Sequence, residues 1–149
     1  MKHYYRYEEF REDTKRLLKL LKTENYDGIV AISRGGLTLS HCIAEGLDLR
    51  DVQSLRTELY DDMTKRDVIK LFGECKFEHH KKVLVVDDIA DSGETLQFVM
   101  NHLIRNYEGV AFESATLFYK KTSVYEPNFW IKEATMWIDF FWERDYTEE

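Results

Sequence analysis

The chain has 149 residues, 44% of them hydrophobic, and carries a formal net charge of −7. This length and apolar content predict one domain with one core over residues 1–149. The acidic balance excludes a general nucleic-acid binder, which needs a basic face, and no apolar run approaches the roughly 20 residues that stable membrane insertion requires.

The first predicted element is an amphipathic helix from about Glu8 to Lys22. Its apolar or small side chains repeat at helical spacing, with charged residues between them. These side chains are Phe10, Thr14, Leu17, Leu18 and Leu21.

A buried strand and a second helix follow. A turn at Asn25–Gly28 leads into Ile29–Ile32, an apolar run that is too short for a helix and is typical of a buried strand. Ser33–Gly36 interrupts this run, and Leu37–Leu47 predicts a helix that ends near Gly46.

The rest of the chain continues this alternation. Val83–Val86 is the clearest buried strand, and the helix after it has apolar residues at Leu96, Val99, Met100, Leu103 and Ile104. Weaker patterns predict strands at Val52–Tyr60, Val68–Phe72, Ala115–Tyr119 and Met136–Phe140, with a mobile polar loop from Asp61 to about Arg66. Alternating helices and strands predict an α/β fold, with a parallel sheet between flanking helices and ligands beyond the carboxyl ends of the strands.

The sharpest motif follows the clearest strand. Asp87 and Asp88 end the apolar run, Asp91 comes three residues later, and small or hydroxyl residues then open a helix. A helix amino terminus can bind phosphate, and paired carboxylates beside it can hold vicinal hydroxyls or Mg²⁺. Taken piece by piece, the same residues could instead cap a helix or form a solvated turn. Adjacent acids at the end of a buried strand, however, need a cation or hydrogen-bond donors to offset their repulsion.

The whole string from Val83 to Leu96 resembles the signature of the type I phosphoribosyltransferase family, and the tail from Met136 to Glu143 resembles the bacterial xanthine-guanine (purine) type within it. The resemblance implies that Asp87 and Asp88 hold the ribose hydroxyls, directly or through Mg²⁺, and that Asp91 is the general base. It also implies a loop for the 5′-phosphate of phosphoribosyl pyrophosphate, formed by Asp91, Ser92, Gly93, Glu94 and Thr95. Glu94 is expected to point outward, because a carboxylate would repel phosphate.

A second motif resembles the pyrophosphate loop of this family. It comprises Ser33, Arg34, Gly35 and Gly36, where glycines allow close backbone approach. The resemblance implies a non-proline cis peptide between Ser33 and Arg34. It also implies a flexible lid at about residues 59–68, from which Arg66 could reach pyrophosphate; Leu59 replaces the serine usual at its start.

The carboxyl-terminal third resembles the part of the family fold that binds the base. Lys120 follows a predicted strand and is implied to donate to the purine 6-oxo group. Trp137 is implied to stack on the base and Ile138 to read its 2-substituent, in a small C-terminal hood of about residues 128–149. Phe140 and Phe141 are predicted to serve packing alone, and His79 and His80 are assigned to the surface.

These observations predict an Mg²⁺-dependent purine phosphoribosyltransferase of the salvage type. Its substrates would be phosphoribosyl pyrophosphate and guanine, xanthine or hypoxanthine, and its products a nucleoside 5′-monophosphate and pyrophosphate. The alternative is a regulator of the same fold that senses nucleotides with little or no catalysis, although such proteins usually carry a basic surface or a DNA-binding domain. An acid-pocket receiver or phosphatase would not need Ser33–Gly36.

The cellular setting follows from other features. Cys42 and Cys75 are far apart and lack CxxC spacing, so they are expected to be inert, reduced thiols. Met1–Arg11 is polar and charged, unlike a secretory signal. We expect a soluble, cytoplasmic homo-oligomer.

Overall fold

A computed structural model describes residues 1–61 and 67–147. Arg66 and the centre of the predicted lid lie outside these described residues. The helices are α1 (Tyr7–Leu21), α2 (Leu37–Leu47), α3 (Glu94–Asn106) and the short α4 (Phe141–Arg144). The strands are β1 (Lys2–Tyr5), β2 (Gly28–Ser33), β3 (Val52–Asp61), β4 (Asp67–Phe72), β5 (Lys82–Val86), β6 (Ile89–Ala90), β7 (Ala111–Ala115), β8 (Phe118–Tyr119), β9 (Lys132–Glu133) and β10 (Trp137–Phe140).

Within the described ranges, the main sheet has five strands in the order β4-β3-β2-β5-β7. Its strands run parallel except at the edge, where β4 pairs antiparallel with β3. The central strands β2 and β5 are in register, with Ala31 opposite Val86. Because both strands run in the same direction, the segments that follow them, Ser33–Gly36 and Asp87–Thr95, emerge at the same edge of the sheet.

Helices cover both faces of this sheet, as the alternation in the sequence predicts. On one face, the α1 and α2 side chains pack against Ile29 and Leu84. On the other face, α3 packs against Val30 and Val85. Neighbouring strand residues therefore point to opposite faces and are all buried, which explains why β2 and β5 read as continuous apolar runs.

Two small sheets lie beyond the main one. In the first, β8 pairs in parallel with both β6 and β9. In the second, β1 pairs in parallel with β10, with His3 opposite Ile138 and Tyr5 opposite Phe140. The carboxyl-terminal hood is thus built partly from the amino-terminal strand.

The predicted strand Ala115–Tyr119 is wrong in its boundaries. The structure ends β7 at Ala115 and begins β8 at Phe118, in a different sheet. The chain bends between them because the backbone N–H groups of Leu117 and Phe118 both donate to the carbonyl of Asp88, at 3.0 and 3.2 Å. Continuous burial across the bend gives the sequence the appearance of one strand.

The other sequence-based elements agree closely with the structure. The helix predicted to end near Gly46 continues to Leu47, and Asp48 caps it with a left-handed backbone at φ 54°. The strand β1 was not predicted, because Lys2–Tyr5 has no apolar alternation. Over the described ranges, no helix is both long and apolar enough to span a membrane.

Candidate active site

Two glycines let the loops after β2 and β5 meet. A Cβ atom on Gly36 would lie 2.3 Å from the carbonyl oxygen of Val86, and one on Gly35 would lie 2.6 Å from Oδ2 of Asp88. Side chains at either position would therefore push the two loops apart. The predicted pyrophosphate and phosphate loops are brought into direct contact through these glycines, and the peptide between Ser33 and Arg34 is cis, as expected.

A cavity of about 240 Å³ lies between these two loops. Most of the predicted sugar-phosphate residues line it, and Thr57 of β3 joins them. The lining residues from the two predicted loops are Ser33, Gly35, Asp87, Asp88, Asp91, Ser92, Gly93 and Thr95.

The phosphate loop leads directly into the amino terminus of α3. Gly93 has φ 82°, a left-handed conformation that favours glycine, and a Cβ there would lie 2.0 Å from Oγ of Ser123. Val124 anchors the loop, because its N–H donates to the carbonyl of Ser92 at 2.8 Å. Glu94 begins the helix and is exposed; it is absent from the linings of both cavities described here. The loop thus presents backbone N–H groups at a positive helix end, which favours an anion.

Asp87 and Asp88 form the acidic floor shared by the loops. Asp88 is buried, and Asp87 accepts a hydrogen bond from the N–H of Asp88 at 2.9 Å. Burial raises the pKa of both carboxyls, and the charge of Asp88 raises that of Asp87 further. A pair of this kind is stabilised in its ionised form by a cation or by hydroxyl donors.

A second cavity of about 370 Å³ adjoins the first. Trp137, which is 61% exposed, and the buried Ile138 form one wall. Lys120 forms another, with its Nζ 3.5 Å from Oδ1 of Asp91. The remaining lining residues are Asp88, Ile89, Asp91, Ala134, Thr135, Met136, Phe140 and Glu143. The three predicted base-binding residues are therefore brought together around one partly aromatic cavity.

Two sequence-predicted residues need separate mention. Arg34 is exposed and absent from both described linings, although its charge acts to lower the pKa of Glu143 against the larger raising effect of burial. Arg66 lies outside the described residues. The described residues include no group of three or more His, Cys, Asp or Glu side chains arranged to hold a metal on protein ligands alone.

Thr57 and Glu143 are among the cavity residues that the sequence reasoning missed. Thr57 comes from β3, on the same face as the buried Leu55; the alternation of β3 predicts that face, but not that it borders the cavity. Glu143 belongs to α4, and its only signal was an acidic residue within an aromatic tail. His80, assigned to the surface, is half-buried and paired with Asp51, whereas His79 is exposed as predicted.

Comparisons with known proteins agree with this geometry. A family model described as the phosphoribosyl transferase domain matches residues 3–149. The xanthine-guanine phosphoribosyltransferase of Idiomarina loihiensis is 33% identical over 99 residues, which cover 65% of this chain and 62% of that protein. The chain thus spans somewhat less than two thirds of this curated relative.

Solved structures match over more of the length. The xanthine-guanine-hypoxanthine phosphoribosyltransferase of Helicobacter pylori is 36% identical with a TM-score of 0.91, covering 97% of this chain and 96% of that one. The purine phosphoribosyltransferase of Pyrococcus horikoshii has a TM-score of 0.81 at 24% identity, covering 99% and 98%, and supports the fold alone. The fold class and the family resemblance are confirmed. The chain belongs to the phosphoribosyl transferase domain family.

Proposed function

We propose that this chain is a purine phosphoribosyltransferase of the salvage type. It would transfer a 5-phosphoribosyl group from phosphoribosyl pyrophosphate to guanine, xanthine or hypoxanthine. The relatives from Idiomarina loihiensis and Helicobacter pylori, whose names state related activities, support this choice of substrate class.

One observation carries the proposal: the two cavities share a border. Asp88, Ile89 and Asp91 line both of them. The cavity of about 240 Å³ offers a helix amino terminus and paired acids, which suit a sugar phosphate. The cavity of about 370 Å³ offers an indole face and a lysine, which suit a heterocyclic base with an oxo group. A bond between base and ribose would form where they meet.

The sugar-phosphate half would act by binding and charge stabilisation. Backbone N–H groups of Asp91–Thr95, with the Ser92 and Thr95 hydroxyls, would hold the 5′-phosphate. Asp87 and Asp88 would accept hydrogen bonds from the ribose hydroxyls. Ser33–Gly36 would offer N–H donors to pyrophosphate, and the exposed Arg34 would add its charge.

Mg²⁺ fits the donor set at the floor of this cavity. Asp87 and Asp88 supply carboxylate oxygens, which Mg²⁺ prefers. Because the protein supplies few ligands, substrate oxygens and water would complete the coordination shell. Burial raises the pKa of both carboxyls, and a bound cation would stabilise their ionised forms. The chemistry that bound Mg²⁺ supplies is the stabilisation of negative charge on departing pyrophosphate.

The base half would orient the nucleophile and accept its proton. In the reaction, the bond between ribose C1 and pyrophosphate oxygen breaks with its electron pair, and a purine ring nitrogen bonds to C1. The purine loses one ring proton, which the Asp91 carboxylate would accept. Lys120, 3.5 Å from Asp91, would donate to the 6-oxo group, while Trp137 stacks on the ring and Ile138 reads the 2-substituent.

The test is a steady-state assay of guanine, xanthine, hypoxanthine and adenine with phosphoribosyl pyrophosphate and Mg²⁺. We expect turnover of at least one 6-oxopurine, little turnover of adenine, and loss of activity when a chelator removes the metal. Binding of a nucleotide without turnover of any base would favour the non-catalytic regulator instead. The single catalytic domain over residues 1–149, the homo-oligomer and the cytoplasmic location stay predictions.

A further inference from the structure

A buried carboxylate on α1 lies behind the base cavity. Asp13 is 3% exposed, faces the core, and belongs to no cavity lining described above. A buried carboxylate needs partners, and two of those it has come from strands: Tyr5 of β1, eight residues earlier in the chain, and Lys132 of β9, far later in it. Those two partners, Tyr5 and Lys132, belong to the hood.

The first partner, Tyr5, links Asp13 to β10, the strand that carries Trp137 and Ile138 of the base cavity. The Tyr5 hydroxyl donates to Oδ2 of Asp13 at 2.6 Å, and the Tyr5 side chain is fully buried. Burial, followed by this hydrogen bond, raises the pKa of the phenol, so it stays a donor. Tyr5 lies in β1, opposite Phe140 of β10, and its ring packs edge-on against Phe140 at 5.7 Å between centroids.

The second partner, Lys132, links Asp13 to the side of the base cavity that Lys120 forms. Nζ of Lys132 lies 3.0 Å from the same Oδ2 atom. Lys132 is in β9, which pairs with β8, with Phe118 opposite Lys132. Lys120 follows β8 directly, so the ammonium that faces Asp91 is anchored to the strand that Lys132 fixes.

Asp13 therefore contacts, through one oxygen atom, side chains from both strand pairs that form the base cavity. The two pairs, β1 with β10 and β8 with β9, belong to separate sheets. Packing between Tyr5 and Phe118, 5.0 Å between ring centroids, also crosses this division. The relative position of Trp137 and Lys120 then depends on how firmly the two pairs are held to α1.

We propose that Tyr5, Asp13 and Lys132 are positioning residues that set the width of the purine cavity and so the affinity for the base. They touch no substrate; they act through β10 and β8. The proposal rests on the proposed function, because it names the determinant of base affinity for that reaction. It predicts an effect on the base and none on phosphoribosyl pyrophosphate, whose site is built on β2, β5 and α3.

The principal test is Tyr5→Phe, which keeps the ring and its packing but removes the donor to Asp13. We expect the KM for the purine base to rise about tenfold, the size of one lost hydrogen bond. The KM for phosphoribosyl pyrophosphate should stay within about twofold of wild type, since that site keeps all its contacts. Lys132→Met should act in the same direction, and Lys132→Arg, which keeps the charge, should restore most of the base affinity.

The chain offers a matched control in a second buried phenol. The Tyr26 hydroxyl donates to Oε1 of Glu113 at 2.7 Å, and Nζ of Lys82 lies 3.2 Å from that carboxylate. This trio repeats the chemistry of the first one near the amino-terminal ends of β2 and β5, whereas the loops of the site follow their carboxyl ends. None of its residues lines either cavity. Tyr26→Phe should lower stability by a similar amount and leave both KM values unchanged.

A second measurement does not depend on activity. Hydrogen exchange of a peptide covering Trp137–Phe140 should become faster in Tyr5→Phe and stay unchanged in Tyr26→Phe. Equal exchange and equal base KM in the two variants would overturn the proposal. Failure of the proposed function would appear differently, as an absence of turnover in the wild-type protein, and the exchange comparison would still decide whether the trio positions β10.

Discussion

Asp91 is the residue that lies where the two cavities meet, and its environment suits a proton acceptor. It is exposed enough to reach a substrate, and Lys120 is its cationic neighbour at 3.5 Å. Lys120 would also orient the purine whose proton is removed, so the pair couples recognition to proton transfer.

Replacing this carboxylate tests its role. Asp91→Asn should lower kcat by about 10²-fold or more, because the amide cannot accept the purine proton. The KM values should change less, since the loop keeps its backbone N–H groups. The measurement is steady-state kinetics with a saturating 6-oxopurine. Glu94→Gln is the control: Glu94 is an exposed carboxylate in the same loop, and its kcat should be close to wild type. A similar kcat in both variants would remove Asp91 from the chemistry.

At this scale, the sequence predicts best those residues that are adjacent in the chain. Asp87 through Thr95 lie in one loop, so their joint role could be predicted from the motif alone. Thr57 and Glu143 reach the cavities from β3 and α4, and only the sheet order brings them there. Their position depends on tertiary packing, which a local pattern does not encode.

The turn between β2 and α2 is the element that holds the two site loops together. Gly36 has an ordinary helical backbone at φ −84°, so its requirement for glycine comes from space alone. The nearest atoms to an added Cβ are backbone atoms of Val86, Ile32 and Asp87. Backbone atoms in a central sheet cannot move aside as a side chain does.

Gly36→Ala should therefore lower the free energy of unfolding by about 3 kcal/mol, at the upper end for overpacking. Gly46→Ala is the matched control, because its added Cβ would meet the Leu18 side chain, with Cδ1 at 2.6 Å, and that side chain can rotate. The same methyl there also improves helix propensity, so stability should stay within about 1 kcal/mol of wild type. Urea denaturation measures both. Equal losses in the two variants would show that the contact between the loops is not tight.

Elements with a clear hydrophobic pattern were predictable, and elements whose ends are set by a bend of the chain were not. The repeat in α1 and α3 and the short apolar runs of β2 and β5 each match one element in the structure. The run from Ala115 to Tyr119 is also buried throughout, yet it crosses from one sheet to another. Its direction is set by hydrogen bonds to the Asp88 carbonyl, a partner that lies 29 residues before Leu117 in the chain.

For the molecule as a whole, buried thiol and phenol groups make the free energy of unfolding depend on pH in the alkaline range. Burial, with a smaller contribution from Asp51, raises the pKa of the Cys75 thiol from 9.0 to about 11. Burial also raises the pKa of Tyr5 and Tyr26, whose hydroxyls donate to carboxylates. The folded chain keeps these protons at a pH where the unfolded chain has released them, so stability is full below about pH 9 and is lost as pH rises.

The expected result is a fall in the free energy of unfolding between pH 9 and 11, to which Cys75 adds about 1.4 kcal/mol per pH unit. Urea denaturation at intervals from pH 8 upward measures it. Cys75→Ala should remove the part of the loss that begins near pH 9, and leave the tyrosine part that begins near pH 10. Removing the exposed phenol with Tyr146→Phe should change neither part. Stability that stays constant up to pH 10.5 would contradict the burial of these protons.

The fold class of the whole molecule was predictable from the sequence, but the pairing of its first strand with its last was not. Alternating elements were enough to predict a parallel sheet between helices, because only that architecture buries strands of this kind on both faces. The pairing of β1 with β10 was not predictable. Lys2–Tyr5 reads as a polar terminus, and the partners of its buried Tyr5 ring, Phe118 of β8 and Phe140 of β10, lie far away in the chain.

This pairing also has a consequence during synthesis. Lys2 leaves the ribosome before its partner Trp137, which lies 135 residues later in the chain. At about 5 to 20 residues per second, β1 waits roughly 7 to 27 s for that strand. The sheet that carries the phosphate loop can be complete well before then, since β7 ends at Ala115. A nascent chain would hence acquire its two half-sites in a fixed order, the phosphate half first and the base half last.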